Sequence, residues 1–242
     1  PGPFTIKTAG DYVPTIVEEG AVQLKAAERR VYIVSEGNRI AEAANGKIIW
    51  IDGLLDEVQG LVECPVPLLG DFDPSFLELP REVLLTSMQE HQKSFGVEDA
   101  SGNLMPHFLT VLNLHPKDLS LVKKGWERVL RARLEDGRFF WKTDLEATLD
   151  EWLEALDAVT FLAPLGSMGE KTRRISALCR WLAAKVQQDP EQAARAGRLS
   201  KADLVSAMVG EFDTLQGIMG GIYARKKGET EAVAAALAEQ YL

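Results

Sequence analysis

The sequence is poor in the residues from which compact catalytic and metal sites are built. It has three histidines, His91, His107 and His115, with none after position 115, and two distant cysteines, Cys64 and Cys179. No CxxC, HExxH or paired-histidine spacing occurs, which argues against a structural or catalytic zinc site and against a disulfide framework. Cysteine usage of this kind points to a reducing, cytoplasmic compartment. No apolar run approaches the roughly 18 residues of a membrane span; the longest is the Ala-rich stretch from Ala232 to Ala238. GxxxxGK[ST], GxGxxG and GxSxG are missing, so neither a phosphate loop of those types nor a nucleophile elbow is expected. Carboxylates are plentiful, but no pair has a spacing that marks a general acid and base. No catalytic residue, no metal ligand and no cofactor is assigned within these residues.

What remains is an ordinary globular composition. The 242 residues are 46% hydrophobic and 26% charged, enough for one large or two small cores. The chain opens Pro-Gly-Pro-Phe without Met or a signal-like segment and stops just after a helical pattern at Gln240-Tyr241-Leu242. Both ends read as cuts from a longer protein. The net charge of −9 speaks against nucleic-acid binding until it is resolved by segment. Residues 1–79, 80–116 and 143–242 carry −7, −2 and −4, whereas residues 117–142 carry +4. One 26-residue stretch is a basic island in an acidic protein.

Hydrophobic spacing gives an α+β reading. Residues 21–44 are helical, with Gly37-Asn38 as a possible interruption. Asn45-Gly46 turns into a strand at Lys47–Ile51, and Asp52 starts a helix to about Glu63. Cys64–Gly70, with two prolines, reads as an edge strand. A helix follows Pro80, with His91 as a structural histidine. Phe95–Val97 and Pro106–Leu112 then form a hairpin around Asp99–Asn103. From Lys117 the pattern is helical: one segment to about Leu156, then Gly166–Gln188, Glu191–Gly210 and Glu229–Tyr241. The glycines around Gly217 and Gly220 read as helix punctuation or close packing. The expected divisions are 1–115 (α+β with a small sheet), 116–158 (a helical connector) and 159–242 (an all-helical region).

The connector carries the candidate site. Setting Lys124 at zero and advancing about 100° per residue, Val122, Trp126, Val129, Leu130 and Leu134 form an apolar stripe. Lys124, Arg128, Arg131 and Arg138 form a cationic one, suited to gripping a nucleic-acid backbone. The plain alternative is a solvated charged face. Arg133 falls within the apolar stripe, where burial against a carboxylate is expected. Gly137 falls on the same side, where its missing side chain permits close helix packing.

Several phrases occur together in order. They are Leu79-Pro80-Arg81-Glu82-Val83-Leu84 with Met88 and His91-Gln92-Lys93, then Glu127-Arg128-Val129-Leu130-Arg131-Ala132-Arg133-Leu134 with Phe139-Phe140. Leu165-Gly166 with Lys171 and Arg174 follow, then Lys201-Ala202-Asp203-Leu204, Met208-Val209-Gly210-Glu211-Phe212, and Leu215-Gln216-Gly217-Ile218-Met219-Gly220. Over residues 79–224 this resembles the β subunit of the bacterial heterotetrameric glycyl-tRNA synthetase. The resemblance implies part of a glycine–tRNA ligase that uses ATP and Mg in the whole enzyme, with the α subunit and tRNA(Gly) as partners and no membrane. It further implies an aminoacylation site on the α subunit, tRNA recognition on β, and an anticodon-recognition region beyond Leu242. Ser94, Trp126, Gly137 and Gly221 depart from the family pattern.

The helical back is also similar to an HD-domain fold, in which histidines and a His-Asp doublet hold metal. Here the doublet's place falls at Ala202-Asp203, without histidine, and Asp203 is expected to pair with Arg174 or Lys171. Three functions follow as expectations. The first is a non-catalytic tRNA-binding part of the β subunit. The second is an interaction scaffold for the α subunit and the rest of β. The third is an HD-type metal phosphohydrolase, which the histidine count disfavours.

Overall fold

The computed structural model describes residues 3–242. The chain divides into two compact units, residues 1–135 and 136–242, and the division falls inside one long helix. The first unit holds α1 (Tyr12–Glu18), α2 (Ala26–Ala43), β1 (Lys47–Ile48), α3 (Asp52–Leu61), β2 (Val66–Asp71), α4 (Arg81–Gln92), β3 (Phe95–Glu98) and β4 (Leu104–Leu112). Helix α5 (Leu119–Glu146) contributes residues to both units.

The four strands form an antiparallel sheet in the order β1-β3-β4-β2. The expected hairpin forms: Phe95 pairs with Leu109 and Glu98 with Leu104, while the Asp99 carboxylate accepts the turn amides of Ser101 and Asn103. β2 is an edge strand, the position in a sheet that tolerates proline. β1 is shorter than expected because the chain leaves the sheet after the Ile49 amide bonds the Gly96 carbonyl, and α3 begins at Asp52.

Alternation along β3 and β4 places Phe95, Val97, Leu109 and Val111 in one core with Ile33, Ala41, Leu55 and Val58 of α2 and α3. Each of the Val, Leu, Ile and Phe side chains among them contributes about 1.5–3 kcal/mol when fully buried. Helix α2 runs through Gly37 without the interruption that the sequence suggests. A Cβ at Gly37 would lie 2.8 Å from Leu109 and 3.0 Å from Trp50, so the glycine brings α2 close to the sheet.

The second unit contains the end of α5, then α6 (Leu149–Ala155), a ribbon of β5 (Thr160–Leu162) and β6 (Gly166–Ser167), α7 (Met168–Lys185), α8 (Pro190–Leu199), α9 (Ala207–Glu211), α10 (Ile218–Lys226) and α11 (Glu231–Ala238). The α+β class holds, but this unit is not wholly helical. The long segment expected to reach Leu156 stops at Glu146. Thr148 and Glu151 form a capping box that starts α6, and Lys227 Nζ donates to the carbonyls of Asp144, Leu145 and Ala147 at the end of α5.

The helix expected over Glu191–Gly210 is likewise two helices. Between them Ser206 caps α9 and Asp203 turns inward. Asp203 pairs with neither Arg174 nor Lys171: Arg174 donates to the Leu165 carbonyl and Lys171 lies over the Phe161 ring. Its Oδ2 instead accepts the amides of Gly217 (2.6 Å) and Gly220 (2.9 Å) at the start of α10. A Cβ at Gly220 would come within 2.9 Å of that oxygen, so the glycine admits the carboxylate. Burial raises the Asp203 pKa against the lowering effect of these two amides.

Asp144 does the same work for α9. It accepts the amides of Ala207 (2.8 Å) and Met208 (2.9 Å) and the Tyr223 hydroxyl (2.7 Å). Tyr223 is fully buried, stacked on Trp141 and met edge-on by Trp152. Burial first, and then the Asp144 carboxylate, push its hydroxyl far above the ordinary tyrosine range. Asp144→Ala strands the buried Met208 and Tyr223 donors and the partly buried Ala207 amide and should cost about 3 kcal/mol, read as a lower urea midpoint. Arg133→Ala, at an exposed position, should stay within about 0.5 kcal/mol of the parent.

Candidate nucleic-acid interface

Helix α5 starts where Asp118 accepts the Leu121 amide (3.1 Å) and the Ser120 hydroxyl (2.7 Å), satisfying donors that a helix N-terminus leaves open. From there its buried positions are Leu130, Leu134, Gly137, Trp141 and Asp144. On the same angular scale these cluster within about 40° of a line near 240°. The buried stripe is narrower than the apolar residues suggest: Val122 and Trp126 are half-buried and Val129 is 50% exposed. Arg133, about 60° from the centre of that arc, is exposed rather than buried against a carboxylate. His91, in the last turn of α4, is exposed.

Lys124, Arg128 and Arg131 are exposed. Among the described residues no carboxylate pairs with any of the three. Arg138 differs: it belongs to the second unit, is half-buried, and has its Nε out of solvent. The neighbouring lysine differs again. Lys123 points to the buried side of α5, 2.6 Å from Asp71 Oδ2 and 3.6 Å from Glu127 Oε1. Burial works against its charge, yet these two carboxylates raise its pKa overall. The Lys123-Lys124 doublet thus splits into one paired and one free cation.

Lys124, Arg128 and Arg131 line a concavity of about 400 Å³ together with Asp71, Phe72, Asp73 and Glu127. Its floor is acidic, with Asp71 held by Lys123 and by His107 Nδ1 (2.6 Å), and Asp73 accepting the Ser75 amide. An anion is therefore attracted to the exposed cationic ridge rather than to the floor. A second concavity of about 480 Å³ lies against the same helix and shares Arg128; His91, Gln92, Val122, Gly125, Trp126 and Val129 complete it. The helical wheel missed it because it assigned Trp126 and Val129 to the core. The one sequence signal was Gly125, a glycine inside a helix.

Among the described residues no three His, Cys, Asp or Glu side chains gather in a way that could hold a metal ion. None of the described helices is long and apolar enough to cross a membrane.

Fold and site together define an α+β protein whose unpaired cations on α5 form one exposed helical face. The family model described as glycyl-tRNA synthetase beta subunit matches residues 1–242, and the chain belongs to that family. It is similar to the glycine–tRNA ligase beta subunit of Nitratidesulfovibrio vulgaris (strain Hildenborough), 72% identical over 242 residues, covering all of this chain and 35% of that protein. The corresponding protein of Oleidesulfovibrio alaskensis is 68% identical over 243 residues, covering 100% of this chain and 35% of its own. That of Lawsonia intracellularis is 55% identical over 238 residues, covering 98% and 34%. The chain spans about a third of the length of the curated relatives it matches. The resemblance read from residues 79–224 is borne out and extends over the whole chain.

Asp71 ties the cationic helix to the sheet edge, and its ionisation sets an acid limit. Burial opposes its charge, but hydrogen bonds from Lys123 and His107 outweigh this and hold its pKa below the ordinary 3.8. A lowered folded pKa means that folding favours the ionised form. The stabilisation is complete above the ordinary value and disappears as pH falls through the lowered one. Asp71→Asn should flatten the loss of thermal stability between about pH 5 and about pH 2. An unchanged acid limb would show that the cluster contributes nothing.

Proposed function

We propose that the chain is a non-catalytic, tRNA-binding part of a glycyl-tRNA synthetase β subunit. In this reading it supports the ATP- and Mg-dependent attachment of glycine to tRNA(Gly) in the cytoplasm, with the aminoacylation site on the α subunit. The carrying observation is the exposed face of Lys124, Arg128 and Arg131, whose charges no carboxylate among the described residues neutralises. Membership of a tRNA synthetase family favours RNA as the anion. Arg138, half-buried, is the least available of the four cations first expected to contact the backbone.

A specific observation favours a scaffold role for the second unit. Leu178, Trp181, Leu182 and Val186 follow one another at helical spacing along α7 and just beyond it, and are between 46% and 63% exposed. A contiguous apolar stripe of this kind marks an interaction surface. The occupant we assign is the remainder of the β subunit, because the relatives are nearly three times as long as this chain. The HD-type phosphohydrolase has no comparable support. The Asp203 carboxylate, at the expected place of the doublet, accepts two helix amides instead.

Three phosphate contacts give a slope of about −2.7 in log affinity against log salt, so threefold more salt should weaken tRNA binding about 20-fold. In the α/β enzyme carrying this sequence, Arg128→Glu/Arg131→Glu should bind tRNA at least about tenfold more weakly and lower the slope by about 2. Equal affinity and slope for parent and variant would remove α5 from the tRNA site. Trp181→Glu should leave tRNA binding intact while lowering the melting temperature of the full-length β subunit. An unchanged melting temperature would show that the stripe is not covered by the rest of β.

A further inference from the structure

The second concavity on α5 shares only Arg128 with the cationic face, yet three of its features call for a ligand. Gly125 sits inside a helix, where glycine is a poor former, although a Cβ there would meet nothing within 4 Å. Packing does not require glycine at this position. Its effect is to leave the helix surface open beside Trp126 and Val129. Gln92 is 5% exposed, and its amide nitrogen donates to the Trp126 carbonyl (3.2 Å), which settles which end of the amide is oxygen. That oxygen, Oε1, is buried and has no hydrogen-bond partner among the described residues. A buried acceptor without a donor is costly until a donor arrives. Finally, Arg128 lines both this concavity and the cationic one, joining an apolar, acceptor-bearing hollow to a row of free cations.

We propose that this concavity binds one unpaired nucleobase of the RNA held on the cationic face, an inference that rests on the tRNA-binding reading above. The base stacks on the Trp126 indole over the gap left by Gly125, and as it seats, the Gln92 amide, whose Oε1 is closed to solvent in the free protein, turns that oxygen to an exocyclic amino group. A phosphate of the same segment meets Arg128. Adenine, cytosine and guanine offer such an amino group. Uracil, whose exocyclic groups are both acceptors, fits less well. An apolar peptide could use Trp126 and Val129, but it would have no use for the adjoining free cations. A flat, donor-bearing base on an anionic chain uses all of these groups at once.

The test is made on the α/β enzyme carrying this sequence, with tRNA(Gly) and heparin as probes. Gly125→Leu fills the hollow from a Cβ that meets nothing, so the variant should keep the parent melting temperature. Gly125→Leu and Trp126→Ala should each weaken tRNA binding about tenfold. Heparin binding and the salt slope should stay unchanged, because heparin has charge but no bases. Trp126→Phe, which keeps a stacking ring, should restore most of the affinity. Equal loss of tRNA and heparin binding would overturn the proposal, since Trp126 would then only support the cations. Unchanged tRNA binding in Gly125→Leu and Trp126→Ala, with Arg128→Glu/Arg131→Glu still impaired, would remove the base site and leave the cationic face. Unchanged binding in all three would remove both. Loss of α-subunit association at full tRNA affinity would reassign the hollow to protein and overturn the proposal.

Discussion

The amphipathic sequence of the 28-residue helix α5 lets it bury one arc of its surface, and that arc goes to Leu130, Leu134, Gly137, Trp141 and Asp144. The rest of the candidate site depends on this constraint. Lys124, Arg128 and Arg131 lie away from the buried arc, so the fold keeps them in water, where long cationic side chains carry little desolvation penalty. Lys123 falls on the buried side, where Asp71 and Glu127 offset the cost of partly burying its charge. Residues next to one another in sequence thereby acquire opposite roles, one anchoring the helix and the other free to meet an anion.

Carboxylates fill two roles elsewhere in the chain. Asp71 is paired with cations, and those contacts favour its ionised form. Asp144 and Asp203 are buried and bind backbone amides at the starts of α9 and α10. There the positive end of a short helix stands where a side-chain cation would otherwise be needed. Asp203 shows how such a contact replaces another possible one. With its Oδ2 committed to Gly217 and Gly220, and with no histidine nearby in sequence, it fixes a turn between helices.

Family membership and geometry bear on different questions. The comparisons place the chain within the glycyl-tRNA synthetase β subunit, while the geometry identifies the surfaces through which such a segment could act. These are a cationic ridge beside an open hollow in the first unit and an apolar stripe on α7 in the second. An acidic protein can carry such a ridge because the acidic residues lie mostly in other segments, and two of the three that share its concavity, Asp71 and Glu127, are bound to Lys123.

Much of this was legible in the sequence. Local chemistry announced the hairpin around Asp99, the start of α3 at Asp52, the edge position of the proline-bearing strand and the basic face of α5, because turn residues and short-range periodicity act within a few positions. The Thr148/Glu151 capping box was also present to be read, but continuous apolar spacing masked the break. The sequence by itself determined the α+β class, the family and the charge of the 117–142 island. Tertiary structure decided which apolar residues of α5 are covered, that Arg133 faces water, that Asp203 holds amides rather than an arginine, and that Gly125 and Gln92 border one hollow. Those outcomes turn on groups brought together from distant positions, such as Asp203 with Gly217 and Gln92 with Trp126. Helical periodicity ranks directions around an axis, but burial is set by what packs against it.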